Sequence, residues 1–365
     1  MRPGRAIWIV LFACQPLAEP TNVKVPPSHE TPVADAGSAA DGSVTTSSGS
    51  LEGDGGAPSD AGAATTARDT DPMALHAETQ DELLALFSIK PLTDKEQKVI
   101  LPEPFLKNVF NVGSAHHANQ GNKALSSHSI SKAQCLAGLG KIVLQTPEQK
   151  KACGADNMVP VHLPGKDPYF CIDIFEFPNK ACELPVVWMP PTYAKKVCEL
   201  QGKRLCSQIE WQVACRGDPE NGPDRKYAYG DKLDLDVCNT RKPPRGACSP
   251  ISIDRAWATC NTDSEPAGSF PQCRSRFGVY DQHGNVAEIM MRRDENGQVV
   301  SQLKGSAWFY EPIAREPGVP AKASQKGIET YPDTCNFDPR WHVEPIVNAW
   351  HVNYHLGFRC CKSVP

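Results

Sequence analysis

Cysteine is the residue type through which this sequence first suggests chemistry. The chain carries 15 cysteines in 365 residues. Cys14 stands apart near the start, and the other 14 all lie at or after Cys135. Fourteen is even, enough for seven disulfides, and thiols at this density suit an oxidising compartment. No Cys-x-x-Cys pair occurs, which argues against a zinc cluster. Histidines come next. His342, His351 and His355 gather near the C-terminus, and His351-x-x-x-His355 would place two rings on one helical face, a spacing used for metal pairs. Gly357 soon ends any such helix and no carboxylate follows, so hydrogen-bonded histidines lining a groove are the simpler reading.

Cys14 closes a pattern of its own. Met1 to Arg5 is short and basic, and Ala6 to Phe12 is apolar but far short of the ~20 residues that span a bilayer. That is the shape of a signal peptide. It ends in Leu11-Phe12-Ala13-Cys14, which resembles the bacterial lipobox. The expectation is that residues 1–13 are removed, Cys14 is lipidated, and the chain is exported and anchored in the cell envelope. Gln15, not an aspartate, follows the cysteine, which favours the outer membrane. A chance cysteine after a misassigned start is the alternative. A net charge of −4 and a pI near 6.2, with no long basic run, argue against a nucleic-acid partner.

The elements that must position any chemistry start late. Residues 14–70 are rich in Ala, Gly, Ser, Thr and Pro and cannot bury enough apolar surface to offset chain entropy, so they read as a flexible tether. Residues 71–150 read as a small helical extension. Apolar residues recur at helical spacing around Thr79 to Ser88, Thr93 with Glu96 looks like a capped start, and short helices are expected over Ser131 to Gly138 and Pro147 to Ala152. Residues 151–365 form the main domain. Tyr169 to Phe177 alternates as a strand does. Thr192 to Leu200 reads as a helix capped by Thr192 and closed by Gly202, and Ser207 opens a second helix through a capping box with Glu210. The 3.6-residue period then fades into Gly-, Pro- and Asn-rich sequence. Two helices on a loop-rich, mostly β body make an α+β arrangement.

Several short blocks follow one another in a fixed order. They are Cys171-Ile172-Asp173 with Glu176; Gly202-Lys203-Arg204-Leu205 with Glu210-Trp211 and Ala214-Cys215-Arg216-Gly217; Tyr229-Gly230-Asp231; and Gly268-Ser269-Phe270. After these come Phe277-Gly278-Val279-Tyr280-Asp281 with Gly284-Asn285-Val286 and Glu288; Lys304-Gly305-Ser306; and Leu356-Gly357-Phe358-Arg359-Cys360. Together they resemble the formylglycine-generating-enzyme (sulfatase-modifying factor) family over Cys153 to about Lys362. The resemblance implies a C-type-lectin-like fold, loop-rich and stapled by disulfides.

By position in that family, Cys198 would join Cys360 and Cys215 would join Cys335. Cys206 would join Cys361, since both are extra cysteines beside the family ones, and Cys171–Cys182, Cys238–Cys273, Cys248–Cys260 and Cys135–Cys153 are inferred from proximity. The family's enzymes hold copper through two cysteines placed just after a Gly-Ser-aromatic motif. Here Gly305-Ser306-Ala307-Trp308 is followed by Phe309-Tyr310-Glu311-Pro312-Ile313-Ala314, with no cysteine, so no copper is expected. The family's Asn-Thr-Pro-Asp stretch survives only as the echo Asn336-Phe337-Asp338-Pro339. Asp281, Gly284, Val286 and Glu288 match family positions for a structural calcium ion, a hard cation that takes oxygen ligands. The alternative is a turn in which Asp281 caps backbone N–H groups and Glu288 pairs with a cation such as Arg292. Trp188, Trp211, Trp257, Trp308, Trp341 and Trp350 are read as core or groove-lining. Trp308, Phe309, Trp341, His342 and His351 are the candidate binding groove, suited to a peptide or sugar.

Three functions follow from this reading. The first is a non-catalytic binding or assembly module on the envelope, with a protein or glycan ligand. The second is an enzyme, a formylglycine-generating oxidase or another chemistry in the same groove, acting on an envelope protein. The third is a structural lipoprotein that uses residues 71–150 as its contact surface.

Overall fold

A computed structural model describes residues 67–87, 103–163, 166–217, 224–242, 248–249, 251–309, 312–313, 329–330, 334–336 and 343–364. The leader, Cys14, most of the tether, and Thr93 to Glu96 lie outside those residues, as do Trp341 and His342. Short helices come first: α1 (Ala67–Thr70), α2 (Gln80–Ala85), α3 (Glu103–Val109), α4 (Lys132–Leu139) and α5 (Pro147–Cys153). Three of them begin at side-chain caps. The Thr79 hydroxyl accepts from the Glu82 N–H, and Ser131 with Gln134 and Thr146 with Gln149 form reciprocal capping boxes.

The hairpin β1 (Met158–Leu163) and β2 (Lys166–Asp173) opens the main domain. Phe170 and Ile172 of β2 enter one hydrophobic cluster, while Cys171 between them faces a different one with Cys153 and Met158. The strand expected over Tyr169 to Phe177 ends at Asp173. Beyond it the chain turns, and the Phe175 N–H is taken by the Asn179 side chain in place of a ladder partner.

Next come α6 (Pro191–Leu200), β3 (Arg204–Leu205), α7 (Gln208–Arg216) and α8 (Ile253–Thr259). The α7 capping box of Ser207 and Glu210 is present. Thr192 does not cap α6. That helix starts after Pro190 with Pro191, whose fixed φ suits a first turn, and the Thr192 hydroxyl donates instead to the carbonyls of Ile346 (2.9 Å) and Ala349 (3.0 Å).

The remaining strands are β4 (Ala287–Arg293), β5 (Val299–Lys304), β6 (Pro312–Ile313), β7 (Glu329–Thr330), β8 (Leu356–Phe358) and β9 (Cys360–Ser363). One sheet runs β1-β2-β9-β3 and a second runs β5-β4-β8, with β4 and β8 parallel. β8 and β9 differ only by Arg359 between them, so that residue sits at the seam of the two sheets.

The residues before Lys150 contribute to the same cores. Phe87 and Phe110 stack with Phe177, which stacks on Phe358 at 4.5 Å, while Cys135 and Leu139 join the cluster of Phe175, Trp211 and Tyr280. Polar contacts fasten them too: the buried Glu265 accepts from the Ser129 and Ile130 N–H groups.

Seven disulfides hold the body. Cys198–Cys360, Cys206–Cys361, Cys215–Cys335, Cys238–Cys273 and Cys248–Cys260 are formed. Two expected pairings are replaced. Cys135 joins Cys182 and Cys153 joins Cys171. The reason is the alternation of β2. Cys171 faces Cys153 at the end of α5, whereas Cys182 lies in the opposite cluster beneath α4. Closing loops of 162 and 120 residues contributes about 4–5 kcal/mol each in the chain-entropy model.

Candidate functional site

The family-matched blocks converge on a buried charged centre. Arg359 is fully buried, and its Nε and Nη2 clasp both oxygens of Glu288 at 2.5 and 2.6 Å. Its remaining N–H groups reach the carbonyls of Asp173, Ile174 and Tyr280. Glu288 also accepts from Trp211 Nε1 at 2.9 Å. Asp173 pairs with Lys203 at 2.6 Å. Nearby, Glu176 accepts from the Val286 N–H and the Asn285 amide, and Asp281 accepts from the Gly268 N–H at 2.7 Å. Burial, with Asp281 and Glu288 alongside, pushes Glu176 well above the usual carboxylate range, and burial raises Asp281 to about 7.

This arrangement tests the calcium expectation. Glu288 has Arg359 as its cation and Trp211 as a further donor, so it is already satisfied; Arg292 is not its partner. Asp281 and Glu176 are the carboxylates left without a strong ion pair among the described contacts, and a proton or a cation could neutralise them. Of the expected calcium set, Glu288 does not fit, because Arg359 and Trp211 already hold its oxygens, while Asp281 accepts only the Gly268 N–H among the described contacts and so stays the candidate carboxylate. Gly284 is required there for space: a Cβ would come within 2.3 Å of the Asn239 carbonyl oxygen, at φ +80°.

The region of the Gly-Ser-aromatic motif is closed. Gly305 adopts φ +66° close to the Gln282 carbonyl, and Ser306 Oγ accepts from the Gly284 N–H. Trp308 and Phe309 are buried at 1% and 5% exposure in a cluster with Trp188 and Ala256, so they are core, not groove wall. The reason is the turn at Gly305, which folds them beneath Tyr354 and His355. His351 borders a void of about 10 Å³, room for one water. Burial lowers its pKa against the pull of Glu344. His351 and His355 do not lie on a helix.

Cys215 and Cys335 meet a third residue that the sequence did not single out. His283 Nε2 lies 3.3 Å from Cys215 Sγ and 3.7 Å from Cys335 Sγ and accepts the Ala228 N–H at 3.0 Å. Two sulfurs and an imidazole would suit a soft ion, but the sulfurs are bonded to each other. Burial and Lys304 lower His283 to about 3, so the ring is neutral.

An open pocket of about 430 Å³ is lined by Arg225, Tyr229, Gln272, Arg274, Ser275 and Arg276. Two tight turns build it. In the first, Tyr227 and Gly230 exchange backbone hydrogen bonds, and the Arg225 N–H is tied to the Arg216 carbonyl at the end of α7. In the second, the Ser275 N–H reaches Val279 and the Gly278 N–H reaches Ser275, with Gly278 at φ +86°. The stem of Arg276 lies against Gly217, where an added Cβ would come within 3.1 Å of its Cδ. None of the three arginines emerged from the sequence as a site; the one signal was the Arg274-Ser275-Arg276 run beside the Phe277-Gly278 block.

Comparison with known proteins gives the chain its relatives. Residues 176–364 match the model of the sulfatase-modifying factor enzyme 1-like domain, just over half of the chain. Proteins called inactive C-alpha-formylglycine-generating enzyme 2, from Mus musculus and Bos taurus, are 27% and 26% identical over 184 residues, 50% of this chain. The serine/threonine-protein kinase Pkn1 of Chlamydia trachomatis is 28% identical over 167 residues, 45% of this chain and 22% of the kinase. The chain spans about half the length of the two inactive-enzyme relatives. The crystal structure of CarF aligns with 57% of this chain and 97% of its own, at 15% identity and a TM-score of 0.33. The family match covers the blocks from Glu176 to the last strand, and the chain belongs to the sulfatase-modifying factor enzyme 1-like domain family.

Proposed function

We propose that this protein is a non-catalytic binding module, exported and held at the bacterial cell envelope by a lipid on Cys14, with a structural calcium ion at Asp281. One observation carries the non-catalytic reading: all 14 cysteines from Cys135 to Cys361 are in disulfides, so the thiolate pair that copper chemistry in this family requires has no residues to supply it. Relatives whose names call them inactive support the same reading. The envelope anchor rests on the lipobox-like Leu11 to Cys14 and on the oxidising compartment that the disulfides require. What remains is a disulfide-stapled body with a solvent-open pocket and a buried charged centre, which suits recognition more than turnover.

Thiol counting under denaturing, non-reducing conditions tests the first part, with linked peptides mapped by mass. The expected result is no free thiol in residues 135–361 and no oxidation of a cysteine-containing sulfatase peptide in the presence of copper. Two free thiols, or peptide oxidation that copper stimulates, would sink the non-catalytic reading. Labelling with a palmitate analogue, lost in a Cys14→Ser variant, tests the anchor.

A further inference from the structure

We propose that the pocket between the two turns binds an acidic saccharide, one or two sugar rings bearing a carboxylate, sulfate or phosphate group, with Arg225, Arg274 and Arg276 holding the anion and Tyr229 facing a ring. This names the ligand class for the binding module and rests on that reading. The cavity, at about 430 Å³, lies in the range of small-ligand sites. Guanidinium groups present paired N–H donors that match both planar carboxylates and tetrahedral sulfate or phosphate, and Gln272 and Ser275 add neutral donors on the same wall.

The charge in this pocket is deliberate in the sense that it has a cost. Burial and the neighbouring Arg276 lower the pKa of Arg225, with Asp231 opposing them. Gathering like charges on two turns is unfavourable in the empty pocket and is relieved when an anion enters. The turns are also fixed before binding. Cys238–Cys273 pins the start of the second turn, and Cys215–Cys335 pins the first through the bond from the Cys335 N–H to the Lys226 carbonyl. A wall that is already ordered loses little entropy on binding. Tyr229 stacks on Tyr227 with ring planes 11° apart, so its orientation is fixed as well. An aromatic face beside charged donors is the pairing that recognises a sugar's C–H face together with its acid group.

Titration calorimetry on the full chain, at constant ionic strength, tests the proposal. The probes are glucuronate, glucose 6-sulfate and glucose 6-phosphate, with glucose and inorganic sulfate as controls. Saturable binding is expected for at least one acidic sugar and none for glucose. Arg276→Glu is expected to weaken that binding at least tenfold. Because Arg276 also packs on Gly217, Arg225→Gln is the second variant, expected to weaken binding at least threefold while the melting temperature stays unchanged. No saturable signal from any acidic sugar, or unchanged affinity in both folded variants, overturns the proposal. Inorganic sulfate binding as tightly as the sugar sulfate overturns the saccharide assignment. Peptide oxidation in the copper assay would sink the non-catalytic reading without altering these titrations, so the two failures are separable.

Discussion

Arginine appears in two settings here, and the contrast shows what burial does to one functional group. Arg359 is enclosed at the seam of the two sheets and points its donors at Glu288 and at three carbonyls from two other segments. Arg225, Arg274 and Arg276 stand on turns beside an open pocket. A guanidinium without water must find every acceptor inside the fold, and it then behaves as a structural rivet. At a solvent-facing wall the same group can be hydrated and need not find every acceptor inside the fold. Position relative to solvent, and not residue type, separates the buried Arg359 from the arginines of the open pocket.

The largest expected effect comes from breaking the rivet. Arg359→Met keeps volume but leaves Glu288 buried without its cation, and should cost about 3–5 kcal/mol in urea unfolding. Adding Glu288→Gln to that variant should recover at least ~1 kcal/mol, because the unpaired charge is then gone. A single-variant loss below ~1 kcal/mol would mean that water reaches the seam.

Asp281→Asn sharpens the comparison from the acidic side. Burial raises Asp281 to about 7, so the folded state keeps a proton that the unfolded chain releases near pH 4. Its contribution is fully present below about pH 4 and is lost as pH rises through 7. Asparagine tolerates the left-handed backbone at this position (φ +58°) and can still accept the Gly268 N–H. In EGTA the variant should be about 1–2 kcal/mol more stable than the parent at pH 8, with the gap closing by pH 5. His76 and His283, both lowered to about 3, work in the opposite direction below pH 6.5 but do so equally in both proteins. On the calcium proposal, adding calcium at pH 8 raises the melting temperature of the parent and not of the variant. An equal rise in both would remove Asp281 from that proposal.

The smallest effect is expected at the open wall. Arg225→Gln should change folding stability by less than ~0.5 kcal/mol, because the guanidinium bond to the Ala228 carbonyl is long (3.2 Å) and only part-buried, and the Arg225 backbone bond to Arg216 is kept. A loss above ~1.5 kcal/mol would make the pocket arginines part of the scaffold and erase the contrast.

Local rules made some of this structure legible in sequence. Ser207 with Glu210 marks the start of α7 because a capping box is a four-residue event. The ordered blocks from Glu176 to Cys360 carried the fold, since each is a turn or close approach that only certain residues can make. Properties that depend on which face of an element looks where were not legible. Cys171 and Cys182 are near neighbours in sequence, yet β2 turns Cys171 toward α5. Trp308 and Phe309 looked like groove residues until Gly305 folded them inward. Glu288 had a cation within four residues, Arg292, but found its partner 71 residues on, in Arg359. The arginine pocket needs two turns separated by about 45 residues of chain to meet, and no local period announces that.

Strand β9 has a consequence for how the chain is made. It lies between β2 and β3 in the sheet although it follows both by more than 150 residues, and its adjacent Cys360 and Cys361 bond to Cys198 and Cys206. A chain threading outward from its N-terminus therefore presents β2 and β3 with an empty slot until residues 356–363 emerge. Until then Cys198 and Cys206 are exposed thiols, and Glu288 waits without its counter-charge. A copy cut short before Leu356 would lack the central strand β9, two disulfides and the Arg359–Glu288 pair together, so residues 356–363 close three separate interactions at once.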